Sequence, residues 1–204
     1  MSVGRVLLRT TVGGLFIGHG TQKLFGWFDG YGIDNTAQMF GSLGLRPAKA
    51  HAVAAGLAES GGGAALVLGA GTPFASSVLI STMLTAIRTV HGRNGPWVTS
   101  QGWEYNAVLI AAAVAVADAG PGRPSVDAAL GNELEGPGWA LLALALGVLG
   151  AAGAQAVSSL FPEPEPEPTP EPAPDLAAAA EPGPAADDQP SPESAPADGD
   201  DPAS

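Results

Sequence analysis

Residues 138–160 read GWALLALALGVLGAAGAQAVSSL and contain no charged side chain. A helix that crosses the hydrocarbon core of a bilayer needs about 20 predominantly apolar residues. Comparable apolar stretches lie at about residues 5–25, 48–69, 73–90 and 103–119. Charges gather at the ends of these stretches, whereas a soluble domain carries charge on about a quarter of its residues. The sequence therefore predicts an all-α membrane protein, in which a four-helix transmembrane bundle is followed by a fifth transmembrane helix.

The C-terminal end of the chain differs in composition from the rest. Residues 161–204 hold 12 of the 20 acidic residues, 13 of the 19 prolines and no lysine or arginine. Such a sequence cannot bury a core and favours extended conformations, so we expect a disordered acidic tail. The remaining residues hold 20 − 12 = 8 acids and 8 bases, and are neutral. The acidic balance of the chain is therefore a property of its tail, and no nucleic-acid partner is predicted.

The chain contains no cysteine. Disulfides, thiolate nucleophiles and cysteine-ligated zinc or iron–sulfur sites are thereby excluded. Its histidines, His19, His51 and His91, lie in separate segments, with no pair spaced for one helix face. No metal site is predicted, and no motif for flavin, haem or a dinucleotide is present.

Helices that alternate in direction distribute the polar residues between two membrane faces. We call the end of the bundle that holds the N-terminus face A and the opposite end face B. Lysine and arginine number five at face B and three at face A, so the positive-inside rule predicts a cytoplasmic face B. A charge facing lipid costs about 2.5–3.5 kcal/mol at the helix centre, so the ionisable groups are expected to turn inward and meet. The candidate polar pocket comprises His19, Lys23, Glu59, Arg88 and Glu104.

Glu59 has the least access to water among these groups, because it lies near the middle of the second segment. The candidate partners for its carboxylate are Arg9, Arg88 and His19. A carboxylate inside a membrane is also a candidate proton relay, so Glu59 and Asp118 support a small transporter as an alternative function.

Two aromatic loops are expected at face B, FGWFDGYG (25–32) and NGPWVTSQGWEY (94–105). A quinone needs apolar walls and one or two donors to its carbonyl oxygens. Phe25, Trp27, Phe28 and Trp103 are the candidate walls, and the pocket cations are the candidate donors. The same aromatic residues are typical of the interfacial belt of membrane proteins, and both interpretations stay open.

The connection between the first two segments predicts a short helix at about 33–45 on the membrane surface, with an irregular loop as the alternative. Small residues recur at every fourth position in the second segment, and hydroxyl residues do so in the third, which predicts close helix packing. These positions are Ala48, Ala52, Gly56, Ser60 and Ala64, and Ser77, Ser81, Thr85 and Thr89.

The stretches GLFIGHGTQKLFGWFDGYG (14–32) and GPGRPSVD (120–127) resemble signatures of the DoxX family of bacterial integral membrane proteins. The resemblance covers about residues 3–131. The matching motif positions include Gly20, Gly26, Gly120, Pro121, Gly122, Arg123 and Asp127. We therefore expect a DoxX-like four-helix membrane domain at 1–131, an extra transmembrane helix at 132–160 and the tail at 161–204.

The resemblance implies a multi-pass protein of the bacterial cell membrane. Some family members are tied to a thiosulfate:quinone oxidoreductase, and some mycobacterial members to a membrane complex of superoxide dismutase and a sulfurtransferase. The expected function is a redox-linked, quinone-associated membrane subunit of an oxidoreductase or oxidative-stress complex, with quinone as the candidate cofactor and soluble redox enzymes as partners besides the lipid bilayer. The alternatives are a non-catalytic scaffold that recruits soluble partners through its acidic tail, and the transporter. Whether the chain is itself an enzyme, and its oligomeric state, stay open.

Overall fold

The computed structural model of the protein describes residues 3–161, so the expected tail lies outside the described residues apart from Phe161. The described part is built of helices and connecting loops, which confirms the all-α prediction. The helices are α1 (Val3–Phe25), α2 (Gly32–Ser42), α3 (Ala48–Leu68), α4 (Thr72–Ala86), α5 (Glu104–Ala119), α6 (Val126–Leu130) and α7 (Pro137–Ser159).

The helix ends follow the local sequence. Proline occupies the first turn of both α4 and α7, where its missing N–H needs no helical partner. The α4 helix continues without a break through a π-helical turn, Ile87–His91, and a 3₁₀ turn, Gly92–Asn94. The short connection 33–45 contains a helix, α2, as one of the two alternatives predicted.

Long helices that follow one another in the chain alternate in direction, and α7 runs parallel to α4. Helix α1 packs on α3, α3 on α4 and α4 on α5, while α7 packs on both α4 and α5 and α2 packs on α3. The ends of α4 and α7 meet at face A, where the rings of Phe74 and Trp139 lie 6.0 Å apart. The far end of α7 reaches α3 at face B, where Ser158 Oγ lies 3.2 Å from His51 Nε2. Face A and face B therefore collect the helix ends expected from the sequence.

The core lies between helices, and the outer surface is apolar. One buried cluster joins α1, α3, α4 and α5, and a second joins α7 to α4 and α5. Large apolar side chains such as Leu57, Val108, Leu141 and Leu149 are exposed around the outside. A soluble monomer rarely exposes apolar surface on this scale, so the exterior suits lipid.

Two helical stretches within residues 3–161 are long and apolar enough to cross a membrane, Thr72–Asn94 and Pro137–Ser159. The other three expected spans are helical but differ in length or charge. Helix α1 has 23 residues with three basic side chains, and α5 has only 16 residues. These helices pack beside the two apolar spans.

The ridge of hydroxyl residues on α4 faces α7. Ser77, Thr85 and Thr89 donate hydrogen bonds to carbonyl oxygens of their own helix. A Cβ atom added at Gly147 would lie 3.2 Å from the Ser77 carbonyl oxygen, and one at Gly150 would lie 2.6 Å from Ser81 Oγ. The hydroxyls therefore satisfy their own hydrogen-bonding needs while glycines let α7 approach closely.

Candidate functional site

A buried ion pair joins α1 and α3 beneath face B. Lys23 Nζ lies 2.6 Å from Glu59 Oε2, with the Lys23 side chain 23% exposed and the Glu59 side chain 5% exposed. The two helices come close because Gly20 packs against the backbone of Gly56 and Ser60. The sequence predicted Arg9, Arg88 or His19 as the partner of Glu59, and this prediction was wrong. The partner is Lys23, because the close glycine contact brings its part of α1 next to Glu59.

The structure does not bring the other members of the predicted polar pocket to this pair. His19 is exposed on α1 and makes no hydrogen bond to another described residue. Arg88 donates from Nε to Gln155 Oε1 on α7, at 2.8 Å. Glu104 Oε1 accepts from the Val98 amide at 2.6 Å, within the loop before α5. Of the five predicted residues, only Lys23 and Glu59 are in contact.

The aromatic residues after α1 form a compact, exposed group. The rings of Phe25 and Trp27 lie 5.3 Å apart, and those of Trp27 and Phe28 lie 6.5 Å apart, edge to face. Trp103 belongs to the other loop, where its amide donates to the Gly95 carbonyl oxygen. The four candidate wall residues are therefore split into a group of three and a single residue.

The backbone of this aromatic loop is held in an unusual conformation. Phe28 and Asp29 have positive φ values of 53° and 58°, which is rare for residues other than glycine and costs about 1–3 kcal/mol per residue. Gln22 Nε2 donates to the Phe28 carbonyl oxygen at 3.2 Å. A Cβ atom at Gly30 would lie 2.5 Å from Gln22 Cα, so only glycine fits there. The loop is thereby fixed against the end of α1.

A groove of about 470 Å³ lies between α4 and α7 near face B. Its walls are mostly small apolar side chains, and its polar members are Arg88, Gln155 and Ser159. Arg88 lies on the π-helical turn, an element that is frequent at functional sites. The Gln155 amide nitrogen has no hydrogen-bond partner among the described residues, so Arg88 and Gln155 together offer unused donors to the groove.

The second motif, residues 120–127, folds into a junction at face A. The Asp127 carboxylate is fully buried and accepts from the amides of Gly71 and Thr72, at 2.8 and 3.0 Å, and from the Thr72 hydroxyl at 2.8 Å. It thus caps the start of α4 from a distant part of the chain. Burial alone raises the pKa of Asp127, but the hydrogen bonds from Thr72 and Gly71 outweigh burial and hold the pKa below its ordinary value.

Arg9 occupies the same junction from α1. It is 3% exposed, and its guanidinium donates to the carbonyl oxygens of Val67 and Pro124. Gly69 lies next to both charged residues, since its carbonyl oxygen accepts from the Asp127 amide and a Cβ atom added to it would lie 2.8 Å from Arg9 Nη1. The junction is therefore a structural joint of α1, α3, α4 and the 120–127 stretch, with one buried cation and one buried anion.

The remaining residues named from the sequence are placed as follows. His51 Nε2 lies 3.1 Å from the Arg46 carbonyl oxygen, and His91 Nδ1 lies 2.7 Å from that of Gln101. Asp118 is exposed at the end of α5. Gln155 was missed by the sequence reasoning, although it is the one amide side chain in α7, whose other polar side chains are the two terminal serines, and it could have been found on that ground.

A family model described as DoxX matches residues 4–92. The match covers α1 to α4, and it includes Lys23, Glu59 and Arg88. It ends before α5, so the groove on Arg88 is formed by one helix inside the match and one outside it. No curated protein and no solved structure matches the chain.

Proposed function

Because residues 4–92 match the DoxX family model, we propose that the chain is a multi-pass membrane subunit of a redox-linked complex in the bacterial cell membrane, and that it holds soluble redox enzymes at face B. Family resemblance supports the redox link. The loop at Phe25–Tyr31 carries the docking role, because it combines exposed aromatic side chains with a fixed backbone. We define this loop as the aromatic loop.

The aromatic loop has the properties of a docking anchor. Phe25, Trp27, Phe28 and Tyr31 are each more than half exposed. Rigid aromatic side chains supply large contact area at low entropic cost, and they are frequent at the energetic centres of protein interfaces. Positive φ values are often maintained where they serve a function. These observations favour a docking surface over a belt of independent interfacial anchors.

The acidic C-terminal part of the sequence begins at face B, after the end of α7. Helix α7 ends at Ser159, next to the start of α3, and the 12 acidic residues follow from 161 onward. A charged arm that begins on the same membrane face as the aromatic loop would raise the effective concentration of a basic partner at that face. The two features together suit a soluble partner with a basic surface and an apolar pocket.

Co-purification from native membranes tests this function. The tagged chain is cross-linked and purified, and the eluate is assayed for superoxide dismutase and sulfurtransferase activity. The double variant Trp27→Ala, Phe28→Ala is expected to lose most of the co-purified activity, and removal of 162–204 to reduce it. Trp97→Ala is the matched control, because Trp97 is 65% exposed in the other aromatic loop. Equal activity with every variant, or equal loss with Trp97→Ala, refutes docking on the aromatic loop.

A quinone-binding subunit is the second candidate function. The observation in its favour is that Arg88, predicted as a donor, does lie in an apolar groove with a second donor, Gln155. Hydrogen bonds from these groups to a quinone carbonyl oxygen would orient the ring there. Binding of a soluble quinone analogue to the purified chain, lost in Arg88→Gln and kept in His19→Ala, is the expected result for this candidate. Loss in neither variant contradicts it.

A further inference from the structure

We infer that the groove between α4 and α7 is a binding site for an anionic phospholipid, with its phosphate on Arg88 and an acyl chain along α7. The site lies outside the docking role proposed above. It follows from the layout of the groove, its charge and the position of its polar end.

The groove opens where the close packing of the two helices ends. Gly147 and Gly150 of α7 lie against Ile80 and Ser81 of α4, and the groove extends along α7 from Val148 to Ser159. Its floor is formed by small side chains, which leave room for a chain of methylene groups. An apolar channel on the outer surface of a membrane helix pair is accessible from the lipid.

The groove is polar at one end and apolar along the rest of its length, as a phospholipid is. Helix α7 has 23 residues, about 34 Å at 1.5 Å per residue, which matches the hydrocarbon thickness of about 30 Å. Gln155 and Ser159 lie in its last turns, at the headgroup level. Val148 lies seven residues earlier, about 10 Å deeper. The groove therefore has one polar end at the membrane surface and an apolar wall that extends into the hydrocarbon.

The charge of the groove selects an anion. Arg88 is the one charged residue in the lining, and its side-chain partner there, Gln155, is neutral. With Nε engaged by Gln155, the two terminal nitrogens of the guanidinium remain available in a planar fork that suits a phosphate. Basic pockets between membrane helices are typical sites for anionic headgroups. A zwitterionic lipid offers the same phosphate but adds a cation that cancels part of the attraction.

Two other occupants explain the groove less well. A quinone carbonyl is neutral and would leave the Arg88 charge without a counter-ion. The tail of this chain carries carboxylates, but the stretch 162–174 that follows α7 alternates proline with glutamate, threonine or alanine and has no run of large apolar side chains to lie along Val148 and Ala152. An anionic phospholipid satisfies both the cation and the apolar wall.

The test is lipid retention by the full chain. Protein purified from nanodiscs of mixed phosphatidylglycerol and phosphatidylcholine is analysed by native mass spectrometry, and the ratio of the two lipids retained is measured. Arg88→Gln is expected to lower this ratio about five- to tenfold, as one lost basic contact implies. Arg93→Gln is the matched control, because Arg93 is exposed five residues away and does not line the groove. Ala152→Leu fills the apolar wall and is expected to reduce retention of both lipids.

Three results would overturn the inference. The first is an equal effect of Arg88→Gln and Arg93→Gln on the ratio. The second is displacement of phosphatidylglycerol by a stoichiometric amount of quinone analogue, which assigns the groove to a quinone. The third is a rise in phosphatidylglycerol retention, lost in Arg88→Gln, when residues 162–204 are removed, which assigns Arg88 to the tail.

Discussion

Replacing Lys23 by methionine is expected to destabilise the protein more than replacing Glu59 by glutamine. In Lys23→Met the Glu59 carboxylate stays 5% exposed and loses its cation. Removing one partner of a buried pair costs about 3–5 kcal/mol. We therefore expect a loss of about 3–4 kcal/mol, which lowers Tm by about 10 °C for a chain of this size.

Glu59→Gln leaves Lys23 without its anion, but Lys23 is more exposed than Glu59. The Lys23 side chain is 23% exposed near face B, so its ammonium can extend toward the headgroups. The expected loss is about 1 kcal/mol, close to that of a partly exposed pair. The double variant Lys23→Met, Glu59→Gln should recover most of the stability lost in Lys23→Met, because no unpaired charge is then left inside.

Thermal unfolding in nanodiscs, followed by tryptophan fluorescence, measures all four proteins. The interpretation of Lys23–Glu59 as a buried ion pair fails if Glu59→Gln is the worse single variant.

Two further changes test the helix contacts. Asp127→Asn is expected to cost about 2 kcal/mol, because charged hydrogen bonds to buried amides of Thr72 and its neighbour become neutral or are lost. Since the pKa of Asp127 is lowered, this stabilisation is present above the ordinary pKa of 3.8 and disappears as the pH falls through the lowered pKa. The unfolding curves of the two proteins should therefore converge in acid, and a difference in stability that persists there contradicts the capping role of Asp127. Gly20→Ala places a Cβ atom 2.6 Å from the Gly56 carbonyl oxygen and should destabilise the protein by about 1–3 kcal/mol, which lowers its Tm. Gly14→Ala is the control, because a Cβ atom there has nothing within 4 Å, and it should be neutral or slightly stabilising. Equal Tm values for both variants would exclude a tight α1–α3 contact.

The lengths of the apolar stretches and the directions of the helices could be predicted from the sequence. These two features were enough to locate most of the helices. Five long helices and the short α2 lie where the apolar stretches and the spacing indicated. Direction also assigned Lys23 and Arg88 to face B correctly. These features depend on local sequence, because the length of an apolar run and the position of Pro73 or Pro121 fix where a helix begins and ends.

The contacts between charged groups could not be predicted, because depth along a helix does not give the angle around it. His19 and Lys23 are four residues apart, so their directions differ by about 40°. That difference is enough for Lys23 to reach Glu59 while His19 faces outward. Arg88 faces α7 instead of α1, because α7 packs on α4 through Gly147 and Gly150. The predicted pocket treated residues at one depth as neighbours.

The motif residues that carried the family resemblance mostly maintain joints between helices. Gly20 permits the α1–α3 approach, and Gly120 and Gly122 adopt positive φ values at the turn before α6. Asp127 caps α4, and its partners at Gly71 and Thr72 lie inside the matched region while Asp127 itself lies outside it. The four-helix unit is therefore incomplete without the 120–127 stretch, because two amides at the start of α4 would lose their buried acceptor. Residues that serve such joints explain a shared fold, and the proposed docking and lipid sites at face B lie apart from them.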